Sequence, residues 1–261
     1  MLPAQRKESI SGRTCTGMQN GCTVILPTYN EAENIGNMIA CIRETYPEFH
    51  ILVMDDNSKD DTKNIVEKII ENDGNVRFIT RDINDKGLSA SIIHGIVESR
   101  TEFFINMDSD FQHPVSALKD IYEHLTNDAD LVIGVRNDRT ALSFGRWVSS
   151  WMGQALACFT LKFSGKQSSK DIMSGLFGGR TEVFTPVIGE YEKYFERTGF
   201  KALFDLLKFA PNDIRIEETL FDFGERQGGE SKIGSKIIFS ILRQCGRLGK
   251  FTASVLSKVK G

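Results

Sequence analysis

The sequence of 261 residues is poor in cysteine and has no long apolar run. Its five cysteines are scattered and form no C-x-x-C pair, which argues against a disulfide framework and a structural zinc site and favours a reducing cytosol. The longest uncharged stretch, residues 147–161, contains polar side chains, and it is shorter than the about 20 mostly apolar residues of a membrane-spanning helix. We therefore predict that no segment of the chain crosses a membrane.

The motifs of several common enzyme classes are also missing. There is no G-x-x-x-x-G-K-[ST] loop, no G-x-G-x-x-G after the first predicted strand and no G-x-S-x-G elbow, which argues against P-loop, dinucleotide-binding and serine-hydrolase sites. The four histidines lack metal-ligand spacing, and we expect His113 to support a site rather than to catalyse. With 32 basic and 35 acidic side chains, the formal charge of -3 excludes a uniformly basic nucleic-acid binder, so no nucleic-acid partner is expected.

Short apolar runs alternate with helix-length segments from Cys22 onward. These runs predict five strands, at residues 23–26, 51–54, 76–80, 103–107 and 131–135. Strands separated by helices indicate β-α-β units, so we predict an α/β fold with a mainly parallel sheet flanked by helices. The chain is divided into a flexible polar leader at 1–20, one domain at 21–234 and a basic tail at 235–261.

Acidic side chains follow three of the predicted strands where each strand ends. Glu31 follows the first strand, Asp55 and Asp56 follow the second, and Asp108 and Asp110 follow the fourth. Because the carboxyl ends of parallel strands share one edge of a sheet, these groups are expected to converge. Two acids one residue apart repel each other unless a cation is near, so Asp108 and Asp110 predict Mg²⁺ or Mn²⁺ bound together with a diphosphate.

The acids after the second strand have a second interpretation. Asp, Asn and Ser are ordinary turn formers and helix N-caps. Asp56, Asn57, Ser58 and Asp60 therefore also fit a turn that leads into the next helix.

A glycine-rich stretch at 224–232 supplies cations that match the acidic edge. Arg226 and Lys232 flank Gly228 and Gly229, whose lack of side chains lets backbone N–H groups approach a diphosphate closely. A solvated surface loop is the alternative for this stretch taken alone. Together with the acidic edge, the stretch predicts a clamp on a diphosphate.

The tail has a strongly asymmetric charge. After Glu230 there is no Asp or Glu, while seven Lys and Arg follow. At about 100° per residue the apolar side chains fall on one half of a helical wheel and most basic ones on the other, which predicts a basic amphipathic helix. We favour a helix that lies on an anionic membrane surface or against a membrane-embedded partner; packing on the catalytic domain is the alternative. Trp147 and Trp151 begin a second apolar stripe.

Five segments together resemble one enzyme family. In chain order they read V-I-L-P-T-Y-N-E, V-M-D-D-N-S, D-S-D-F-Q-H-P, D-I-M-S-G-L-F and F-G-E-R-Q-G-G-E-S-K. They look like the dolichol- or polyprenol-phosphate mannose synthases, which are inverting glycosyltransferases with the Rossmann-like GT-A fold. The resemblance covers about residues 22–234, and it implies transfer of mannose from GDP-mannose to a polyprenyl or dolichyl phosphate with inversion.

The resemblance also assigns roles to individual residues. By similarity, Asp108, Asp110 and Arg146 are catalytic, and Asp110 and Gln112 bind the metal directly. The acceptor phosphate is contacted by Arg136, Arg146 and Ser150. The nucleotide sugar is bound by Pro27, Tyr29, Glu31, Val53, Asp55, Asp108, Ser109, Asp110, Gln112, Arg226 and Lys232. No general base is needed, because a phosphate monoester with a second pKa of about 6 is already largely a dianion.

The sequence departs from the family pattern at three places, one of which is a short loop between Arg136 and Arg146. The usual D-A-D-L-Q reads Asp108-Ser109-Asp110-Phe111-Gln112, and Trp151-Met152 stands where Arg-Gly often follows Ser150. The chain resembles the short form of the family, which relies on surface helices or a small membrane-spanning subunit. A cytoplasmic enzyme held peripherally at the cytosolic face of a membrane is therefore expected.

Three alternatives stay open at this point. The nearest is a glucosyl- or other hexosyl-phosphate polyprenol synthase that uses a UDP-sugar, because its motifs are nearly the same. A nucleotide-sugar-binding subunit without activity is the second, although the intact D-x-D pair and the late cations argue against it. A phosphoryl-transfer protein of the receiver or phosphatase kind is the third, although D-S-D-F-Q lacks the Thr of that phosphatase pattern.

Overall fold

The computed structural model describes residues 19–137, 154–155, 157–197 and 202–224. These residues contain a seven-stranded sheet in the order β3-β2-β1-β4-β6-β5-β7. The strands are β1 (Gln19–Thr28), β2 (His50–Asp55), β3 (Val76–Thr80), β4 (Thr101–Asn106), β5 (Leu131–Arg136), β6 (Phe177–Arg180) and β7 (Ile216–Phe221). β1 includes the last two residues of the predicted leader, and the rest of the leader and the whole predicted tail lie outside the described residues.

Helices cover both faces of the sheet. They are α1 (Ile35–Thr45), α2 (Thr62–Ile70), α3 (Leu88–Glu98), α4 (Ala117–Thr126), α5 (helical residues 154–155 and 157–163), α6 (Thr181–Tyr191), the 3₁₀ turn Glu192–Tyr194, and α7 (Ala202–Phe209). One buried apolar cluster joins the sheet to α3, α6 and α7, and a second joins it to α1, α2 and α4. The predicted α/β fold with a mainly parallel sheet is confirmed. In the described part of the chain, no helix is long and apolar enough to cross a membrane.

The five predicted strands are all present, and two further strands complete the sheet. β6 is the antiparallel member: it lies between β4 and β5 and opposes both. Its central residues are Gly178 and Gly179, and a Cβ at either would come within 3.0 Å of the side chains of Ile121, Ile105 or Phe104. The strand therefore depends on close approach of its backbone to α4 and β4, which an apolar-run pattern does not reveal.

The strand directions place six carboxyl ends at one edge of the sheet. β1, β2, β3 and β4 are parallel, and β5, two antiparallel steps from β4, runs the same way as β4 and parallel to β7. The loops that follow these strands thus share a rim, hereafter the carboxyl edge, where ligands bind in open α/β sheets.

Candidate active site

The first part of the carboxyl edge is formed by the ends of β1 and β2. Thr28 is paired in register with Asp55, so the loops that follow the two strands begin side by side. The carboxylate of Asp55 is buried and accepts hydrogen bonds from the backbone N–H of Ser58, at 3.1 Å, and from its hydroxyl. Asp55 therefore fixes the turn in which Asn57 takes a positive φ of 64°.

The loops after β1 and β2 interlock through short polar side chains. Asn30 has a φ of 56°; its backbone N–H donates to Ser58 Oγ at 2.8 Å, and its Oδ1 accepts from the Lys59 N–H at 2.7 Å. The carboxylate of Asp60 accepts from the Ala32 N–H at 3.0 Å and from the hydroxyl of Thr62 at 2.6 Å. Burial would raise the pKa of Asp60, but these hydrogen bonds lower it on balance. The contacts of Ser58 and Asp60 thus agree with the second interpretation, in which these residues form the turn that leads into the next helix.

The residues assigned to the nucleotide by resemblance occupy different depths on this side. Tyr29 is exposed at the rim, with the ammonium of Lys86 5.7 Å from its ring centroid. Glu31 is half-buried and accepts from the Asn34 side-chain amide at 2.9 Å. Pro27 and Val53 are buried, and Val53 belongs to the apolar core. We therefore expect Val53 to support the neighbouring strand end from within the core, and its side chain does not reach the rim.

The loop after β4 carries the D-x-D pair. Ser109 and Asp110 are buried, and Phe111 takes a positive φ of 61° that turns the chain back on itself. This turn lets the Gln112 N–H donate to Asp110 Oδ1 at 3.1 Å. The carboxylate of Asp108 is about one-quarter exposed at the rim. The structure therefore brings Asp108, Asp110 and Gln112 together in one tight loop.

His113 supports this loop from below. Its Nδ1 accepts a hydrogen bond from the Asp108 backbone N–H at 3.1 Å, and its ring meets Phe221 and Phe223 edge-on. Burial lowers the pKa of His113 more than Asp108 and Asp110 raise it, so the neutral, acceptor form is favoured. The supporting role expected for His113 agrees with these contacts.

The D-I-M-S-G segment lies between the D-x-D loop and the end of β5. A Cβ at Gly175 would lie 3.0 Å from Asp108 Oδ2 and 3.0 Å from His113 Cε1. The carbonyl of Gly175 accepts from the side-chain amide of Asn106 at 2.7 Å. Gly175 is thus needed where the backbone passes against the Asp108 carboxylate.

Replacing Gly175 with alanine is expected to displace the Asp108 carboxylate and to lower turnover by at least about tenfold, because small misplacements of reacting groups are costly. Gly189→Ala is the matched control, since a Cβ at Gly189 in α6 meets no atom within 4 Å. Steady-state kinetics and thermal melting of both variants check this. Equal activity of the two variants would show that the close approach at Gly175 has no functional role.

Arg136, the last residue of β5, is held by Asp171 of the same segment. Its Nε and Nη2 donate to the two carboxylate oxygens at 2.8 and 3.0 Å, and its guanidinium carbon lies 5.5 Å from the ring centroid of Phe223. The Asp171 side chain is 1% exposed and that of Arg136 is 17% exposed. The guanidinium is therefore oriented by a fork-to-fork pair and an aromatic face at the carboxyl edge.

The chain that leaves β7 passes directly beside the D-x-D loop. The Gly224 N–H donates to the Gln112 carbonyl at 2.9 Å, and a Cβ at Gly224 would lie 3.1 Å from the Phe111 carbonyl. Gly224 is the last described residue of this segment, two positions before Arg226. The predicted site residues Arg146, Ser150, Arg226 and Lys232 lie outside the described residues.

The donor atoms of the D-x-D loop fit a hard divalent cation that takes its remaining ligands from a substrate. Within the described ranges, no group of three or more His, Cys, Asp or Glu could hold a metal on its own. The loop instead offers the carboxylates of Asp108 and Asp110 and the carboxamide of Gln112. Mg²⁺ and similar ions are commonly bound by one or two carboxylates while substrate phosphates and water complete the shell.

Sequence reasoning did not foresee a buried ion network behind the β2 and β3 ends. Arg81 Nη1 donates to Asp56 Oδ1 at 2.7 Å and its Nη2 donates to Asp85 at 2.7 Å. The second oxygen of Asp56 accepts from the Gly87 N–H at 2.7 Å, at the start of α3. Asp56 therefore anchors α3 and the loop after β3 to the carboxyl edge. The position of an acidic residue at the end of a strand does not by itself distinguish this role from ligand binding.

Comparisons with known proteins identify a family and relatives that this chain resembles in sequence. The sequence profile described as glycosyl transferase family 2 matches residues 23–187. A dolichol-phosphate mannosyltransferase from Mycosarcoma maydis is 30% identical over 261 residues, which cover 94% of this chain and 85% of that protein. One from Pyrococcus furiosus is 31% identical over 247 residues, covering 91% of this chain and 66% of that protein.

A solved structure shares the fold. Glucosyl-3-phosphoglycerate synthase from Mycobacterium tuberculosis, in complex with Mn²⁺, UDP-glucose and phosphoglyceric acid, superposes with a TM-score of 0.58 at 15% identity. The superposition covers 87% of this chain and 80% of that one. This likeness confirms the predicted GT-A fold.

Proposed function

The chain belongs to glycosyl transferase family 2, and on this basis we propose that it transfers mannose from GDP-mannose to a polyprenyl phosphate such as dolichyl phosphate. We propose that the transfer inverts the anomeric carbon, so that the product is a β-linked lipid phosphomannose. Two relatives are dolichol-phosphate mannosyltransferases, which supports a lipid-phosphate acceptor for this chain. The observation that carries the proposal is the convergence of the Asp55 turn, the Asp110 loop and the Gly224 segment at one edge of the sheet.

The donor nucleoside occupies the side of the edge formed by the β1 and β2 loops. Tyr29 presents an exposed aromatic face, and Glu31 and Asp55 lie beside it on loops that their own hydrogen bonds hold in place. Pro27 and Val53 shape the strand ends beneath these groups. Loops that are already held in place bind a nucleotide with little further loss of side-chain entropy.

The donor diphosphate lies over the D-x-D loop. Asp110 and Gln112 are the groups that would hold Mg²⁺ or Mn²⁺, with Asp108 and Ser109 beside them, and the bound ion would neutralise charge on the diphosphate as it leaves. Arg226 and Lys232 follow the Gly224 segment and are proposed to grip the same diphosphate from the other side. The Gln112–Gly224 hydrogen bond supports this assignment, because it starts that segment beside the loop.

The acceptor phosphate enters on the β5 side. Arg136 is oriented there by Asp171, and Arg146 and Ser150 are assigned to the same phosphate by resemblance. A phosphate oxygen attacks the anomeric carbon, the bond from that carbon to the diphosphate oxygen breaks, and GDP leaves with the electron pair. No proton has to be removed from the nucleophile, because the phosphate monoester is largely a dianion above its second pKa of about 6. The protein's task is to align two anions that repel each other.

We place the enzyme peripherally at the cytosolic face of a membrane, where a lipid-linked acceptor is found. The proposed domains are the leader at 1–20, the GT-A domain at 21–234 and the tail at 235–261 as a membrane- or partner-binding helix. The support for the tail is its sequence alone, with seven basic and no acidic residues after Glu230.

A transfer assay tests the proposal. The purified chain is incubated with short-chain polyprenyl phosphate and either labelled GDP-mannose or labelled UDP-glucose, with Mg²⁺ or Mn²⁺, and the label is extracted into organic solvent. We expect lipid-linked label from GDP-mannose. Label from UDP-glucose in its place would assign the chain to hexosyl transfer from a UDP-sugar, and nucleotide binding with no transfer would assign it to a non-catalytic subunit.

A further inference from the structure

The loop between β3 and α3, hereafter the 82–87 loop, borders the proposed nucleoside side of the carboxyl edge. The ammonium of Lys86 in this loop is 5.7 Å from the ring centroid of Tyr29, which is exposed at the rim. Gly87 ends the loop with a φ of 140°, a conformation that is open to glycine. The position of the 82–87 loop therefore decides how closely this side of the edge is bounded above Tyr29.

Two ion pairs hold the 82–87 loop from its buried side. Arg81 precedes the loop, and its side chain is 1% exposed. Its guanidinium donates to Asp56 Oδ1 and to Asp85 Oδ2, each at 2.7 Å. The other oxygen of Asp56 accepts from the Gly87 N–H at 2.7 Å. Both ends of the loop are therefore fastened to the end of β2.

Arg197, which follows the 3₁₀ turn, holds the same loop from its outer side. Its Nη1 donates at 3.2 Å to Asp85 Oδ2, the oxygen that also accepts from Arg81. Its backbone carbonyl accepts from the Ala90 N–H in the first turn of α3 at 3.1 Å. Its Nη2 donates to Glu192 at 3.0 Å, which steadies the guanidinium. Arg197 thus contacts both the loop and the helix that follows it, although it lies 112 positions beyond Asp85 in the chain.

The two arginines that share the Asp85 carboxylate differ in their exposure to solvent. Arg81 is buried and also pairs with Asp56, whereas the Asp85 and Arg197 side chains are 40% and 38% exposed. An ion pair exposed to this degree makes a small contribution that salt screens, while taking a partner from a buried guanidinium is costly. Arg81 is therefore the fixed contact of the loop, and Arg197 is the contact that can be changed without disturbing the core.

We propose that Arg197 is a positioning residue for the donor. Through Asp85 it holds the 82–87 loop beside Tyr29, and it thereby sets the affinity for the donor nucleotide without contacting that nucleotide. This inference rests on the proposed function, because it takes the nucleoside to bind beside Tyr29. It adds a residue from the segment between α6 and α7 to those that control donor binding.

Donor binding measures the contribution of Arg197. Arg197→Gln removes the charge but keeps the backbone bond to α3, and we expect it to raise the Kd for GDP by about three- to fivefold at low ionic strength. The difference from the unchanged chain should shrink in high salt. Arg215→Gln is the matched control, since Arg215 is 51% exposed and pairs with Glu217 at 2.9 Å. Calorimetry should show the control binding GDP as the unchanged chain does.

Steady-state kinetics separates positioning of the donor from a general loss of structure. We expect Arg197→Gln to raise the KM for GDP-mannose by the same factor as the Kd for GDP. The kcat and the KM for the lipid phosphate should not change, because the contact lies on the donor side of the edge. An equal rise of both KM values, or a fall in kcat with no change in GDP binding, would overturn the proposal.

A double-mutant cycle shows whether Arg197 acts through Asp85. Asp85→Asn is expected to weaken GDP binding more than Arg197→Gln does, because it also takes a charged partner from the buried Arg81. In the Asp85→Asn background, Arg197→Gln should add almost nothing to the defect. Full additivity of the two defects would show that Arg197 acts by another route and would contradict the proposal.

Hydrogen exchange without nucleotide tests the loop contact independently of the proposed function. The amides of residues 82–90 are expected to exchange severalfold faster in Arg197→Gln than in the unchanged chain, and at the unchanged rate in Arg215→Gln. Equal exchange in all three proteins would refute the loop contact. Faster exchange in Arg197→Gln, together with no GDP binding by the unchanged chain, would refute the proposed function and the donor role of Arg197 but not its hold on the loop.

Discussion

Replacing Asp110 with asparagine is expected to lower mannosyl transfer by about 100- to 1,000-fold, the range found when one group that stabilises a developing charge is removed. Asp110 is 3% exposed, and its carboxylate accepts a hydrogen bond from the Gln112 N–H at 3.1 Å. An asparagine Oδ1 can accept the same bond, so the loop keeps its shape while the negative charge that we propose holds the metal is lost. Steady-state turnover at saturating metal measures the effect.

Asp128→Asn is the control for loss of one negative charge. Asp128 is 91% exposed and has a positive φ of 70°, a conformation that asparagine also adopts readily. We expect this variant to keep its activity and stability. If Asp110→Asn turned over as fast as Asp128→Asn, the D-x-D loop would not be the diphosphate site.

Separating Arg136 from Asp171 is expected to lower kcat/KM for the lipid phosphate by about 100-fold, because a misoriented guanidinium no longer aligns the nucleophile. Asp171→Asn leaves one acceptor oxygen where the fork needs two. The affinity for GDP-mannose should not change, because the Arg136–Asp171 pair lies at the end of β5 and the nucleoside is proposed to bind at the β1 and β2 loops. Acceptor kinetics and calorimetric binding of GDP-mannose distinguish the two effects.

A double-mutant cycle shows whether Asp171 acts through Arg136. Arg136→Ala, Asp171→Asn and the double variant should share the same acceptor defect, because each removes the same oriented guanidinium. Removing one partner of a buried pair is also expected to cost about 3 kcal/mol of stability, part of which the double variant recovers. Arg43→Ala breaks a 2.7 Å pair with Asp73, far from this edge, and should leave acceptor kinetics intact. Additive acceptor defects would mean that Asp171 has a separate role.

The sequence predicted the parallel half of the sheet well because each of those strands is a short apolar run. The topology of parallel strands then aligns their carboxyl ends, which brings Asp55, Asp108 and Asp110 to one edge. β6 was missed because four residues with two central glycines have no strand pattern. β7 was missed because it is a polar edge strand, with Glu217, Glu218 and Thr219 at its centre.

Ion pairs between residues far apart in the sequence were the part of the site that could not be predicted. The Arg136–Asp171 pair joins residues 35 positions apart, and Arg81 reaches back 25 positions to Asp56. Such pairs are set by how loops pack on the finished sheet, so motif spacing leaves them undetermined. The resemblance marks D-I-M-S-G as a motif, but only the structure shows that Asp171 orients the Arg136 guanidinium. It also shows that a Cβ at Gly175 would lie 3.0 Å from the Asp108 carboxylate.

Metal-dependent binding of the donor diphosphate tests the central claim most directly. The affinity of the chain for GDP is measured by calorimetry with Mn²⁺ and again after chelation, in the unchanged chain and in Asp110→Asn. We predict that removal of the metal weakens GDP binding by at least about tenfold in the unchanged chain and that Asp110→Asn binds weakly under both conditions. Equal affinities in all four measurements would contradict the assignment of the Asp110 loop as the metal and diphosphate site.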